Sequence, residues 1–235
     1  MLERELGYKP PIPEDLQRQY ETALHGVLRW KNGNWADNVY ETDMDHVLRM
    51  FFILSDINHA CPTLSLDVDI PTTQHMIYIH DAGETDRRVG DLTHGRDDYE
   101  TIYPRWKNRE HAAFRLLTRR IEDPDIKFEA RKLYRRCVTK SEDDNEAQLT
   151  DLIDKLQGAR FGFEHVFNGQ YLKEEVRQTH MHRTVRLLSR PITTLLELVS
   201  PPAQSELRDF LRSEFDRFAE CGYDNEIANL NAILH

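Results

Sequence analysis

Apolar residues in this chain recur at intervals of three and four, and that spacing restricts the fold more than any other feature. Leu16, Tyr20, Leu24, Val27 and Leu28 form one stripe, and Met50, Ile53, Leu54 and Ile57 a second. Leu149, Leu152, Ile153, Leu156 and Phe163 form a third, and Leu207, Phe210, Leu211, Phe215 and Phe218 a fourth. At 3.6 residues per turn such positions fall on one face of an α-helix. Ten glycines among 235 residues are too few for an all-β or glycine-loop architecture. The expectation is all-α, a single-domain helical bundle, since no Ser/Gly-rich or Pro-rich linker divides the chain.

Local signals set the expected boundaries. Residues 13–30 read as a helix with Pro13 in its first turn, and a second runs from a Thr42 cap to about residue 59. The next is capped by Thr72 and Thr73 and stopped by Gly83. Helix resumes at residue 104 or 105 and runs to residue 121, again over 124–138, and again from Asn145 onward. The helices after Tyr171 are expected to break at Pro191 and at Pro201-Pro202.

Charge and cysteine usage narrow the function classes. Thirty-one Lys and Arg against 41 Asp and Glu leave a formal charge of −10, which argues against binding a nucleic-acid polymer through a basic face. A small phosphorylated ligand, held by local cations, stays compatible. Cys61, Cys137 and Cys221 form no CxxC pair, and residues 1–13 carry no secretory leader, so the expected compartment is the cytoplasm. No run approaches 18 apolar residues, so no membrane partner is expected.

Reactive groups gather between His75 and Asp91. The apolar run from Met76 to Ile79 delivers His80 and Asp81 side by side, and Gly83 then loosens the backbone before Glu84. Neighbouring residues on a helix diverge by about 100°, so both can reach one ion only where the helix is ending. A buried aspartate beside a buried histidine is costly unless positive charge holds them, and a divalent metal is the simplest candidate. His46 is the polar exception on its apolar stripe. A histidine in that setting is more often a hydrogen-bonded core residue than a ligand; the His80-Asp81 doublet downstream changes the weighing. Asp154 lies opposite the main stripe of its helix, with Ala147, Thr150, Gly158 and Phe161, so that helix is expected to be buried on two faces. Arg29 and Trp30 stand at a helix end, where amphipathic packing competes with ligand contact. His180 and His182 are two apart, diverge, and are read as surface residues.

The order His46, His80-Asp81, Asp154 resembles the H…HD…D pattern of the HD-domain metal-dependent phosphohydrolases. The run Tyr40-Glu-Thr-Asp-Met-Asp-His46 resembles that family's acid-rich approach to its first histidine. His80-Asp81-Ala-Gly-Glu84 followed by Gly90-Asp91-Leu92 resembles the HDxxE…GD signature of the bacterial 5′-deoxynucleotidase branch, Asp154-Lys-Leu156 its DKL, and Arg29-Trp30 its Arg-Trp pair. The resemblance spans roughly residues 20 to 165. It implies an HD-type bundle with a phosphohydrolase core over residues 1–169 and C-terminal helices over 170–235 packed on the same domain.

The resemblance implies His46, His80, Asp81 and Asp154 as ligands of one divalent metal ion. Two imidazoles and two carboxylates without thiolates suit Mn, Co, Ni, Fe, Zn or Mg, and such an ion would polarise a phosphoryl oxygen and activate water. Glu84 is assigned to orienting or deprotonating that water and Asp91 to protonating the leaving ribose oxygen, the reverse assignment being nearly as good. Arg29, Arg87 and Arg88 are candidates for phosphate contact, and Lys107 a weaker one. Trp30 would stack on a base or wall the pocket. The expected activity is removal of the 5′-phosphate from a (deoxy)nucleoside monophosphate. The alternatives are another phosphoester, such as a nucleotide pyrophosphate or cyclic nucleotide, and a metal-binding regulatory protein with little turnover. A homodimer contact through the C-terminal stripe stays open.

Overall fold

Helices in this chain begin where a side chain or backbone turn can take their unpaired first amides. At Thr42 the hydroxyl accepts from the Asp45 amide at 3.0 Å, and the Asp45 carboxylate accepts from the Thr42 amide at 3.1 Å, a reciprocal capping box. Asp123 accepts from the amides of Asp125 and Ile126, and Asp144 from that of Ala147. The computed structural model describes residues 7–10, 12–29, 40–86, 89, 99–167, 174–219 and 224–235.

Among these residues the order is α1 (Glu14–Leu24), β1 (Leu28–Arg29), β2 (Glu41–Thr42), α2 (Asp43–Ala60), a 3-10 turn (Pro62–Leu66), α3 (Ile70–Ile79) and a second 3-10 turn (Ala82–Thr85). There follow α4 (Tyr99–Thr118), α5 (Pro124–Thr139), α6 (Asn145–Phe161) continued by a π-helical segment (Gly162–Phe167), α7 (Glu174–Leu198), α8 (Pro201–Ala219) and α9 (Asp224–Ile233). The class is all-α, as the periodicity required. The described sheet is one antiparallel pair, Leu28 opposite Thr42 and Arg29 opposite Glu41.

The chain forms two compact units, Met1–Phe51 with Gln74–Thr139, and Phe52–Thr73 with Lys140–His235. In the first, Leu24, Met44, Val47, Met50, Met76 and Ile77 are fully buried, and Phe114 stacks on Tyr134 with centroids 3.9 Å apart. Tyr20 donates to the Tyr78 carbonyl at 2.6 Å, fixing α1 against the end of α3. In the second, Leu149, Leu152, Ile153 and Leu156 of α6 have no exposed surface, and neither do Leu207, Leu211 and Phe215 of α8. Ala147, Thr150 and Phe161 on the other side of α6 are buried too, so that helix is covered on two faces as its sequence indicated.

Several boundaries differ from expectation. The first helix stops at Leu24 and not at residue 30, because Leu28 and Arg29 pair with Thr42 and Glu41 and the Val27 carbonyl accepts from the Asp43 amide at 3.1 Å. α3 starts at Ile70, and Asp69, not Thr72 or Thr73, provides its first acceptors, taking the Thr72 hydroxyl on its carboxylate and the Thr73 amide on its carbonyl. α4 begins at Tyr99 with Pro104 inside it, and α7 runs through Pro191. There the stripe Leu188, Ile192, Leu195 and Val199 is buried on both sides of the proline, and packing outweighs the one forgone hydrogen bond. Pro201 and Pro202 do mark a break, and occupy the first turn of α8. No described helix is long and apolar enough to cross a membrane.

Candidate metal centre

α2 and α3 bring the two histidines together within the first unit. His46 follows Met44 and precedes Val47 and Met50 on the buried side of α2, and its ring is fully buried. His80 and Asp81 come immediately after α3, whose last three residues, Ile77, Tyr78 and Ile79, are buried apolar groups. The helix ends at Ile79, so the backbone opens where the doublet needs it to; Asp81 has φ −100° and ψ 13°.

Three donor atoms converge. His46 Nε2 lies 3.2 Å from His80 Nε2 and 3.7 Å from Asp81 Oδ2, and His80 Nε2 lies 2.9 Å from that same oxygen. Ligand bonds of 2.0–2.2 Å at angles between octahedral and tetrahedral place donors about 2.8–3.6 Å apart. Two edges of the triangle, 2.9 and 3.2 Å, fall within that range, and the third, 3.7 Å, lies just beyond it. The tautomer fits as well: His80 Nδ1 lies 2.8 Å from the Ile77 carbonyl, to which an Nδ1–H donates, leaving the Nε2 lone pair turned into the triangle. His46 is addressed by a carboxylate instead, with Nδ1 3.9 Å from Glu41 Oε1.

Acids crowd this centre. Donor atoms of Asp43, Asp81 and Glu84 lie within 4.8 Å of one another, and Asp43 and Glu84 are buried. Arg29 answers them from β1: Nη1 is 2.6 Å from Asp81 Oδ2 and 3.8 Å from Asp43, and Nε is 3.9 Å from Glu41. The strand register that sets Arg29 opposite Glu41 is thus also what aims its guanidinium at Asp81. Burial alone would push the Asp81 carboxyl up. With no ion bound and His80 protonated, the charge of His80 and then of Arg29 overrules it, and with the His80 hydrogen bond holds the group well below the usual carboxylate range.

Gly83 has a different task from the helix stop the sequence suggested. A Cβ there would stand 2.6 Å from the Glu110 carbonyl oxygen and 2.8 Å from its Cα, so the turn carrying Glu84 lies directly on the backbone of α4. Only glycine permits that approach. Asp154 stands half-buried on α6, in the second unit, with the Lys155 ammonium 2.5 Å from its Oδ2. Its place in a ligand set rests on the order of residues in the sequence. Trp30, Arg87, Arg88, Gly90 and Asp91 lie outside the described residues, as does Cys221; His182 is exposed, as expected. Glu41 and Asp43 were not singled out as site residues, although the acid-rich run before His46 signalled them.

No family model and no curated protein sequence matches the chain. Among solved structures it is similar to a predicted metal-dependent phosphohydrolase from Magnetospirillum magnetotacticum MS-1, with a TM-score of 0.59 and 18% identity over 90% of this chain and 98% of that one. A likeness at this identity establishes the fold. The shared architecture is all-α and consistent with an HD-type domain.

Proposed function

We propose that this chain is a divalent-metal-dependent phosphohydrolase of the HD type, acting on the 5′-phosphate of a (deoxy)nucleoside monophosphate, with His46, His80, Asp81 and Asp154 as the metal ligands. The observation that carries the reading is the triangle of His46 Nε2, His80 Nε2 and Asp81 Oδ2, with edges of 3.2, 2.9 and 3.7 Å. The fold neighbour's description as a metal-dependent phosphohydrolase and the H…HD…D order of the sequence support it. A divalent ion supplies Lewis acidity at a phosphoryl oxygen and makes water acidic enough to attack near neutral pH.

The protein's own groups have separate tasks in this reading. Glu84, buried beside Asp81, accepts the proton of the attacking water. Asp91 returns a proton to the leaving ribose oxygen. Arg29 gathers Glu41, Asp43 and Asp81 and keeps the Asp81 carboxylate ionised and oriented. Trp30, Arg87 and Arg88 are assigned to nucleotide contact on the sequence pattern alone.

Metal analysis of the purified chain together with a phosphoester panel tests the reading. The expected result is about one divalent ion per chain and phosphate release from nucleoside 5′-monophosphates in Mn or Co, both lost in Asp81→Ala. A chain that takes up no divalent ion and cleaves no phosphoester would sink it. Cleavage confined to a diphosphate or cyclic nucleotide would reassign the substrate and leave the class standing.

A further inference from the structure

The cations around the candidate centre are unequally committed. Arg29 is turned toward three carboxylates, and Arg49 lies 3.7 Å from Glu41. A phosphate brought to this centre meets the charges of Glu41, Asp43, Asp81 and Glu84, so it needs a cation whose ion-pair partner is not one of them. Lys107 on α4 has the geometry for that. Its Nζ is 2.5 Å from Glu110 Oε2 and 5.8 Å from the centroid of the Tyr103 ring. The pair is asymmetric: the Glu110 side chain is 4% exposed, whereas that of Lys107 is 35% exposed. The acid is sealed and the cation is presented. One carboxylate oxygen engages one of three ammonium donors, leaving others to turn outward.

Position joins this pair to the centre. Gly83 packs on the Glu110 backbone, Glu84 follows Gly83, and Lys107 is less than one turn before Glu110 on the same helix. Burial works against the Lys107 charge, and the carboxylates of Glu110 and then of Glu84 favour it.

We propose that Lys107 receives the phosphoryl group of the substrate, and that Glu110 is the positioning residue that anchors its ammonium from the buried side. The role rests on the phosphohydrolase reading; the binding of phosphate itself can be measured without it. In the full chain, titration calorimetry with inorganic phosphate is expected to show affinity weakened about tenfold to a hundredfold in Lys107→Met, the size expected for one charged hydrogen bond. KM should rise over the same range, with kcat and metal stoichiometry within about twofold of the parent. Lys107→Arg should recover most of the loss. Glu110→Gln, which keeps the cation and loosens its anchor, should raise KM with kcat retained.

Unchanged phosphate affinity in Lys107→Met, or no phosphate binding by the parent chain, would overturn the proposal. Should Lys107→Met unfold because the buried Glu110 loses this ion pair, Lys107→Met with Glu110→Gln removes both charges. That double variant must show the same loss of phosphate affinity, and unchanged affinity in it would overturn the proposal equally. Phosphate binding that depends on Lys107 in a chain that cleaves no phosphoester would keep this site and discard the hydrolase reading.

Discussion

Glu41 stands behind one histidine of the centre and behind the arginine that steadies the aspartate. It is 3% exposed, 3.9 Å from His46 Nδ1 and 3.9 Å from Arg29 Nε. Carboxylates behind a metal-binding histidine fix its tautomer and ring plane, and losing one costs about tenfold to a hundredfold in metal affinity. Glu41→Gln is therefore expected to weaken divalent-ion binding by that factor, measured by competition with a chelating dye. Unaltered affinity would show that His46 is oriented by something else. His46 and the His80-Asp81 doublet were legible because each interrupts or ends an apolar helical run. Glu41 and Asp43 were not named, because their burial comes from a two-residue strand pairing that helical periodicity does not register.

Among the described glycines, Gly83 in the turn over Ala82–Thr85 has the least room for a side chain. Gly83→Ala would drive a methyl group into the Glu110 carbonyl, 2.6 Å away, where the obstacle is helix backbone and not a side chain that can swing aside. Overpacking of this kind costs about 1–3 kcal/mol. Denaturant melts should show that loss, with hydrolysis falling further than stability because Glu84 is carried on the displaced turn. A variant as stable and active as the parent would mean that the turn does not rest on α4. The sequence marked Gly83 as important and misread why, since only the neighbouring helix reveals what a side chain would strike. The same limit applies to Pro104 and Pro191. Local rules end a helix near proline, but the buried stripe around Pro191 holds α7 together. Where the cap is local, as at Thr42 with Asp45, sequence and structure agree.

At the scale of the whole molecule, stability should respond to metal and to pH. An ion that binds only the folded chain stabilises it by about 2.7 kcal/mol at a hundredfold excess over Kd, so Tm should rise with added Mn or Co and fall with a chelator. A Tm indifferent to both would deny a resident ion. Tyr8, Tyr20, Tyr78 and Tyr134 have phenols pushed up by burial, with neighbouring acidic groups adding at Tyr20, Tyr78 and Tyr134. Their unfolded counterparts ionise near pH 10, so as pH rises past about 10 the unfolded chain releases protons first. The stabilisation from these groups is complete below that point and lost above it. Thermal melts from pH 9 upward should be level and then decline; no decline by about pH 11 would contradict the burial of these rings.

The two imidazoles of the centre are held by different means. His80 is braced by a carbonyl three residues earlier in its own helix, so a peptide spanning α3 and the doublet carries that brace wherever it is placed. His46 instead has the Glu41 carboxylate, on a strand outside its helix, 3.9 Å from Nδ1. Transplanting α3 with the doublet onto a foreign scaffold would deliver half of the centre ready oriented; transplanting α2 alone would leave the Glu41 carboxylate behind.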